Sequence, residues 1–266
     1  MTQHWTVETL PWNRLDPSRV SPELLALVKA AALVEYNGQD YSHYLCGVFR
    51  DDALFQQVAV DWAREEVQHG VALGTWAERV DPSWNFQDAV ARFRAGYRVD
   101  TQAQISLRGS RAGELVSRCI VETGTSSYYT ALSEAGDEPV LQAICRNIAA
   151  DEFRHYKLFY DHLKRYQETE PLGRLARLKI ALSRIAETED DELSFAWHAA
   201  NSWTEPYDRR RSFAAYARRA YGCYRRPHVE TMVAMVLKAS GLAPRGLLHR
   251  LASRLAWRRI SHRAAA

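Results

Sequence analysis

The apolar positions of the first two thirds of the chain recur at the three- and four-residue spacing of helices, in long and seldom broken runs. Ser21-Pro22-Glu23 has the form of a helix start: a capping hydroxyl, a proline in the first turn, and an acid near the positive end of the dipole. The Leu-, Ala- and Val-rich run behind it predicts one helix to about Tyr44. Asp51-Asp52 opens a second, which reaches about Arg79 ahead of Asp81-Pro82. Residues 83–100 read as a shorter helix and a connection. A third long helix is expected from about Gly109 to Ser133. The turn Ala135-Gly136-Asp137-Glu138-Pro139 then starts a fourth, ending near Gln167. No alternating segment of strand type competes. Four helices of this length suit a four-helix bundle.

Beyond Glu170-Pro171 arginine dominates, and shorter helices are expected at about 172–187, 190–203, 208–222, 226–240 and 246–261. The fold expected is therefore all-α: an N-terminal arm over 1–20, a four-helix bundle over 21–168, and a basic helical extension over 169–266 that packs on the bundle.

Composition narrows the class. No run of about 18 apolar residues occurs, which excludes a transmembrane helix. Met1 to Trp12 has neither a basic start nor an apolar core, so no secretory signal is visible. Cys46, Cys119, Cys145 and Cys223 are scattered, without a C-x-x-C. A thiolate zinc site, a rubredoxin-type iron centre and a disulfide framework are thereby disfavoured, and the cytoplasm is the expected compartment. The net charge of +3 divides unevenly. Residues 171–266 carry 18 Lys and Arg against 8 Asp and Glu, a net of +10, which leaves residues 1–170 at −7.

Some of that acid is placed for chemistry. Glu66-Val67-Gln68-His69 lies in the middle of the second helix, and Glu152-Phe153-Arg154-His155 in the middle of the fourth. Residues three apart share a helical face, so each Glu and His can reach one metal ion. The first and third helices each add a carboxylate among apolar neighbours, Glu35 and Glu122. Glu35 precedes Glu66 by 31 positions and Glu122 precedes Glu152 by 30. In a helical hairpin that separation runs down one helix, round a turn and back to the same height. One such motif is common by chance, but two at matching separation are not. Four carboxylates balance two divalent ions, and oxygen with imidazole donors suits iron or manganese better than zinc.

A Glu and a Glu-x-x-His in each half of a bundle is the signature of the ferritin-like di-iron carboxylate superfamily, which this chain resembles over roughly residues 21–168. The text Trp62-Ala63-Arg64-Glu65-Glu66-Val67-Gln68-His69-Gly70 and Ile148-Ala149-Ala150-Asp151-Glu152-Phe153-Arg154-His155 is similar to the soluble acyl-carrier-protein desaturases. Val121 to Tyr129 looks closer to rubrerythrin-type relatives, although the rubredoxin cysteines of full rubrerythrins are absent. The resemblance implies Glu35, Glu66, His69, Glu122, Glu152 and His155 as ligands of two Fe ions, with Glu66 and Glu152 bridging. Manganese or a mixed Mn/Fe pair fits the same donors.

Several neighbours bear on the chemistry. Asp151 and Arg154 flank the second motif and are candidates to orient imidazoles. Glu65 lies about 100° round the helix from Glu66, which suggests a solvated or salt-bridged side chain. Glu114 is a weaker ligand alternative. Thr125 and Ser126, one turn beyond Glu122, are candidate hydroxyls beside the metals, and the small residues from Thr123 to Ser127 leave room for a substrate or simply for close packing.

These features lead to a di-iron oxidase or oxygenase that activates O2 to hydroxylate or desaturate a small organic substrate, acyl or lipid-like, with electrons from an external donor such as a ferredoxin. The alternative is a ferroxidase or peroxide-scavenging protein, and a scaffold with a structural metal is a third class. A homodimer stays open. The basic run Arg245 to Arg263, with Leu247, Leu248, Leu251 and Leu255 on one side, admits a membrane-surface helix, docking to an acidic carrier protein, or nucleic acid, the last being disfavoured. The reading preferred from sequence is a helix packed on the acidic bundle, balancing its charge.

Overall fold

The computed structural model describes residues 4–187 and 191–265. Among these the chain is all-α, without a strand, and no helix is long and apolar enough to cross a membrane. The expected helix start at 190, and residues 1–3 of the expected arm, lie outside the described residues.

Three short 3-10 turns lead to α1 (Pro22–Glu35), α2 (Gly38–Val48), α3 (Ala53–Val80), α4 (Phe86–Gly96), α5 (Arg111–Ala135) and α6 (Pro139–Thr169). The caps follow the sequence. Ser21 accepts from the Leu24 amide, Asp52 from Phe55, Ser110 from Gly113, and Glu138 from Val140 and Leu141. Glu138 is fully buried and also takes the Trp76 indole N–H at 2.8 Å and the Asp16 amide at 3.2 Å. One carboxylate thus caps α6, fixes α3 and ties the N-terminal segment to the core, its burial compensated by four donors.

The expected first helix is in fact two. It stops at Glu35, and after Tyr36-Asn37 the chain restarts as α2. The break follows from close packing against α3. A Cβ on Gly38 would lie 2.4 Å from Cβ of Glu66, and one on Gly70 would lie 2.6 Å from the Tyr36 amide nitrogen. The two glycines let the interruption sit against α3 beside its ligand motif. Asn37 is buried there, at 3% exposure.

Helices α1 and α2 pack on α3, α5 packs extensively on α6, and α3 packs on α6. Two apolar cores lie at opposite ends of this assembly. One is built round Leu27, Trp76, Phe93, Leu132 and Ile144, the other round Phe49, Phe55, Leu115, Cys119 and Phe159. The polar residues described next sit on the same helices, between these sets in the chain.

The remaining helices are α7 (Arg174–Glu187), α8 (Asp191–Asn201), α9 (Arg209–Gly222), α10 (Arg226–Ala239) and α11 (Leu247–Ala265). Helices α7 and α10 pack on α5, and α8 packs on α1 and α4. Helix α11 packs on α9 and α10 rather than on the acidic helices, which differs from the placement preferred from sequence. Its small face, with Ser253 and Ile260, closes a third cluster with Val229, Val233 and Leu237.

Candidate metal centre

The six expected residues meet. Glu35, Glu66, His69 and Glu152 bring ligand atoms within 4.8 Å of one another, and so do Glu66, Glu122, Glu152 and His155. All six are buried. Glu66 and Glu152 belong to both groups, the arrangement of two cation positions sharing two carboxylates. Each Glu-x-x-His supplies a carboxylate and an imidazole from one helical face, α3 on one side and α6 on the other. Glu35 comes from the last turn of α1, immediately before the break.

The imidazoles point inward through Nδ1. His69 Nδ1 lies 3.3 Å from both Glu35 and Glu152. His155 Nδ1 lies 3.1 Å from Glu66 and 3.6 Å from Glu122. Their outer nitrogens are held crosswise. His69 Nε2 donates to Asp151 on α6 at 3.1 Å, and His155 Nε2 donates to Glu65 on α3 at 2.8 Å. The acid that precedes each ligand glutamate therefore steadies the histidine of the opposite motif. Such a partner fixes the tautomer and the ring orientation. Glu65 is not merely solvated or salt-bridged, as its angle on α3 suggests; packing of α6 brings the His155 ring to it. Arg154 donates to Asp151 at 2.5 Å and to Glu65 at 3.1 Å, joining the two acids.

Two further contacts, those of Trp5 and Tyr129, have no clear sequence signal. Trp5 stacks on His69, rings 5.9 Å apart and nearly parallel, and its indole N–H donates to Asp151 at 2.7 Å. Tyr129 donates to Glu35 at 2.7 Å, one tyrosine singled out from 13. Thr125 donates to Glu152 at 2.5 Å, so its hydroxyl is at the centre. Ser126 is not brought there: its hydroxyl bonds back to the Thr123 carbonyl at 3.3 Å. Glu114 is also elsewhere. It accepts from Tyr44 and Ser106, each at 2.8 Å, and pairs with Arg118 at 3.3 Å, anchoring the connection ahead of α5. Two helical turns, about 12 Å, separate it from Glu122. Cys119 and Cys145 are fully buried with thiols pushed up by that burial, which suits packing.

Burial sets the ionisable groups of this interior against one another. Burial raises Glu35, and burial together with the Glu152 charge holds Glu122 well above the carboxylate range. Glu66 is pushed up to about 8 by burial and by the charges of Glu152 and Glu35. Burial opposes ionisation of Glu152 too, but the neighbouring His155 and His69 imidazoles outweigh it and hold it well below the usual range. Both imidazoles are raised well above normal: burial lowers them, and the surrounding carboxylates, Asp151, Glu152 and Glu35 at His69 and Glu122, Glu152, Glu65 and Glu66 at His155, prevail. Glu66 Oε1, both Glu122 oxygens, Glu152 Oε1 and His155 Nδ1 are buried without a hydrogen-bond partner. Orphaned polar atoms of this kind are costly. They converge, they are oxygen and nitrogen donors, and a pair of divalent cations would satisfy them.

No protein-family model and no curated protein matches this chain. Its function is therefore argued from the centre itself. Two surface clefts, one between α9 and α11 near Arg210, Phe213 and Arg263, the other near Arg50, Ile105 and Arg111, do not include the six residues. The strip Val121, Gly124 and Thr125 on α5 is partly exposed, and a Cβ on Gly124 would meet nothing within 4 Å.

Proposed function

We propose that this chain is a ferritin-like, non-haem di-iron oxidoreductase that activates O2 to oxidise an organic, acyl or lipid-like substrate. One observation carries the reading: two four-residue groups share Glu66 and Glu152 in a buried cluster, and atoms of Glu66, Glu122, Glu152 and His155 there lack a hydrogen-bond partner. Glu35 and His69 would complete one iron site, and Glu122 and His155 the other. Two irons bound there supply two electrons together to O2, and manganese in one or both positions fits the same donors.

The protein's own groups have definable tasks. Asp151 and Glu65 hold the imidazoles with Nδ1 inward, so the donors are pre-oriented. Thr125, itself partly exposed, holds a proton against Glu152 Oε2. That hydroxyl is placed to keep one carboxylate oxygen oriented and to pass a proton to or from the centre. Trp5 and the helices around the cluster exclude water from the remaining sides. Electrons would come from a separate protein, since the cysteines are unpaired and scattered.

A second reading has an observation in its favour. Neither of the two clefts includes the ligands, and an enclosed centre suits a ferroxidase or peroxide scavenger, whose substrate is iron itself or H2O2. Anaerobic loading with Fe(II), followed by O2, separates them. Two irons per chain and slow O2 consumption that accelerates with a fatty acyl substrate support the oxidase. Fast stoichiometric Fe(II) oxidation unaffected by any acyl compound supports the alternative. A chain that binds no metal anaerobically overturns both.

A further inference from the structure

Helix α11 buries the wrong face for a helix that merely completes the fold. At about 100° per residue, Leu247, Leu248, Leu251 and Leu255 fall within an arc of about 100°, and the buried Ser253 and Ile260 lie opposite. The helix therefore turns Ala252, Ser253, Ala256, Trp257 and Ile260 inward and its leucines outward. Those leucines are 78%, 52%, 58% and 58% exposed. A contiguous apolar stripe on a surface marks an interaction site.

The charge around the stripe is of one sign. From Thr231 onward the sequence has no Asp or Glu, but holds Lys238, Arg245, Arg250, Arg254, Arg258, Arg259 and Arg263. Arg250 and Arg254 border one edge of the leucine arc, and Arg258 continues it a turn beyond Leu255. Arg245, Arg250, Arg254 and Arg258 are exposed and make no ion pair among the described residues. The charges are thus not spent on the acidic helices, which α11 does not pack against.

From this geometry we infer that α11 is a peripheral membrane-docking helix, lying flat on an anionic bilayer with its leucines in the acyl boundary and its arginines on lipid phosphates. Both halves of the face are needed to choose the partner. A nucleic acid would answer the arginines and leave four leucines against phosphate. A second copy would answer the leucines and set arginine against arginine. An anionic lipid surface answers both along the length of the helix, about 28 Å for its 19 residues. This inference does not rest on the metal centre, and it stands or falls without it.

The test is flotation of the full chain with vesicles of phosphatidylcholine alone and with an equal part of phosphatidylglycerol. Binding is expected to the anionic vesicles, at least tenfold weaker to the neutral ones, and weakened by salt. The double variant Leu251→Asp/Leu255→Asp should lose flotation with its melting temperature and helical content unchanged, because both positions are exposed. The variant Arg250→Gln/Arg254→Gln should weaken binding about fivefold for each charge removed. Absence of flotation with anionic vesicles overturns the inference. So does wild-type flotation of the leucine variant, equal binding to neutral lipid, or binding to duplex DNA or an acidic polypeptide that exceeds vesicle binding and survives the leucine changes.

Discussion

At the scale of single residues, the two carboxylates common to both ligand groups should behave differently from the two that are not. Glu66→Ala or Glu152→Ala is expected to lose both metal ions, whereas Glu35→Ala or Glu122→Ala should retain close to one. Elemental analysis after anaerobic loading and desalting reads the difference. Loss of the same amount from all four would mean that the two positions fill only together. The residues behind the ligands are testable in the same way. Asp151→Asn leaves His69 without its acid, and Glu65→Gln does so for His155. Each should lower metal affinity by about 10- to 100-fold in a chelator competition, with little change in helical content. Thr125→Val removes the donor to Glu152 and should slow O2 consumption at unchanged metal content, while Thr125→Ser keeps it.

At the scale of elements, the interruption between α1 and α2 is the feature most exposed to small changes. Glycine inside a helix ordinarily costs about 1 kcal/mol relative to alanine, so Gly70→Ala on α3 would stabilise an isolated helix. Here the added methyl would lie 2.6 to 2.7 Å from the Tyr36 backbone and Cβ. The net expectation reverses: a loss of about 1–3 kcal/mol in urea denaturation, the usual penalty for overpacking. Gly38→Ala presses on the Glu66 side chain instead, and should show up in metal content as well as stability. A stabilised Gly70→Ala would mean that the break can move away from α3.

At the scale of the whole molecule, the buried cluster makes stability depend on pH and on metal together. In the metal-free chain Glu66 has a folded value of about 8 against 4.5 unfolded, so between these values the folded state binds more protons than the unfolded. Glu35 and Glu122 shift the same way. The two histidines, raised above 6.5, contribute stability that is complete below that value and fades as pH rises through their folded values. All five groups act in one direction, so the metal-free melting temperature should fall from about pH 5 to pH 8. Asp151 at about 2, with Glu65 and Glu152 lowered, act oppositely, but only as pH falls below about 4.5. A divalent metal bound as proposed would displace these protons and bind more tightly as pH rises. The stabilisation on adding Mn(II) should accordingly grow from pH 5 to pH 8, as read by differential scanning fluorimetry. A metal-free melting temperature that rises over that interval would contradict the burial of these carboxylates.

The sequence by itself determined most of the helices and which six acidic and histidine residues are candidates for the centre, because both are written in local terms. Caps such as Ser21, Asp52 and Glu138 act within one turn, and a Glu and a His three apart share a face on any helix. Matching separations in the two halves were enough to set Glu35 against Glu66 and Glu122 against Glu152 at one height. What only the tertiary structure decided is whatever depends on a neighbouring helix. The break after Glu35 has a local signal in Asn37-Gly38, but its close seat on α3, where Gly70 meets Tyr36, is set by packing. Glu65 looked unrelated to the centre from its angle on α3, and becomes the partner of His155 once α6 lies alongside. Trp5 and Tyr129 are drawn to the cluster without a local signal, and of the two expected hydroxyls packing brings Thr125 to Glu152 while Ser126 bonds to its own helix. Helix α11 shows the same division. Its pattern of leucine and arginine is in the sequence, but which face is buried was set by packing on α9 and α10, and that choice left the leucines outside.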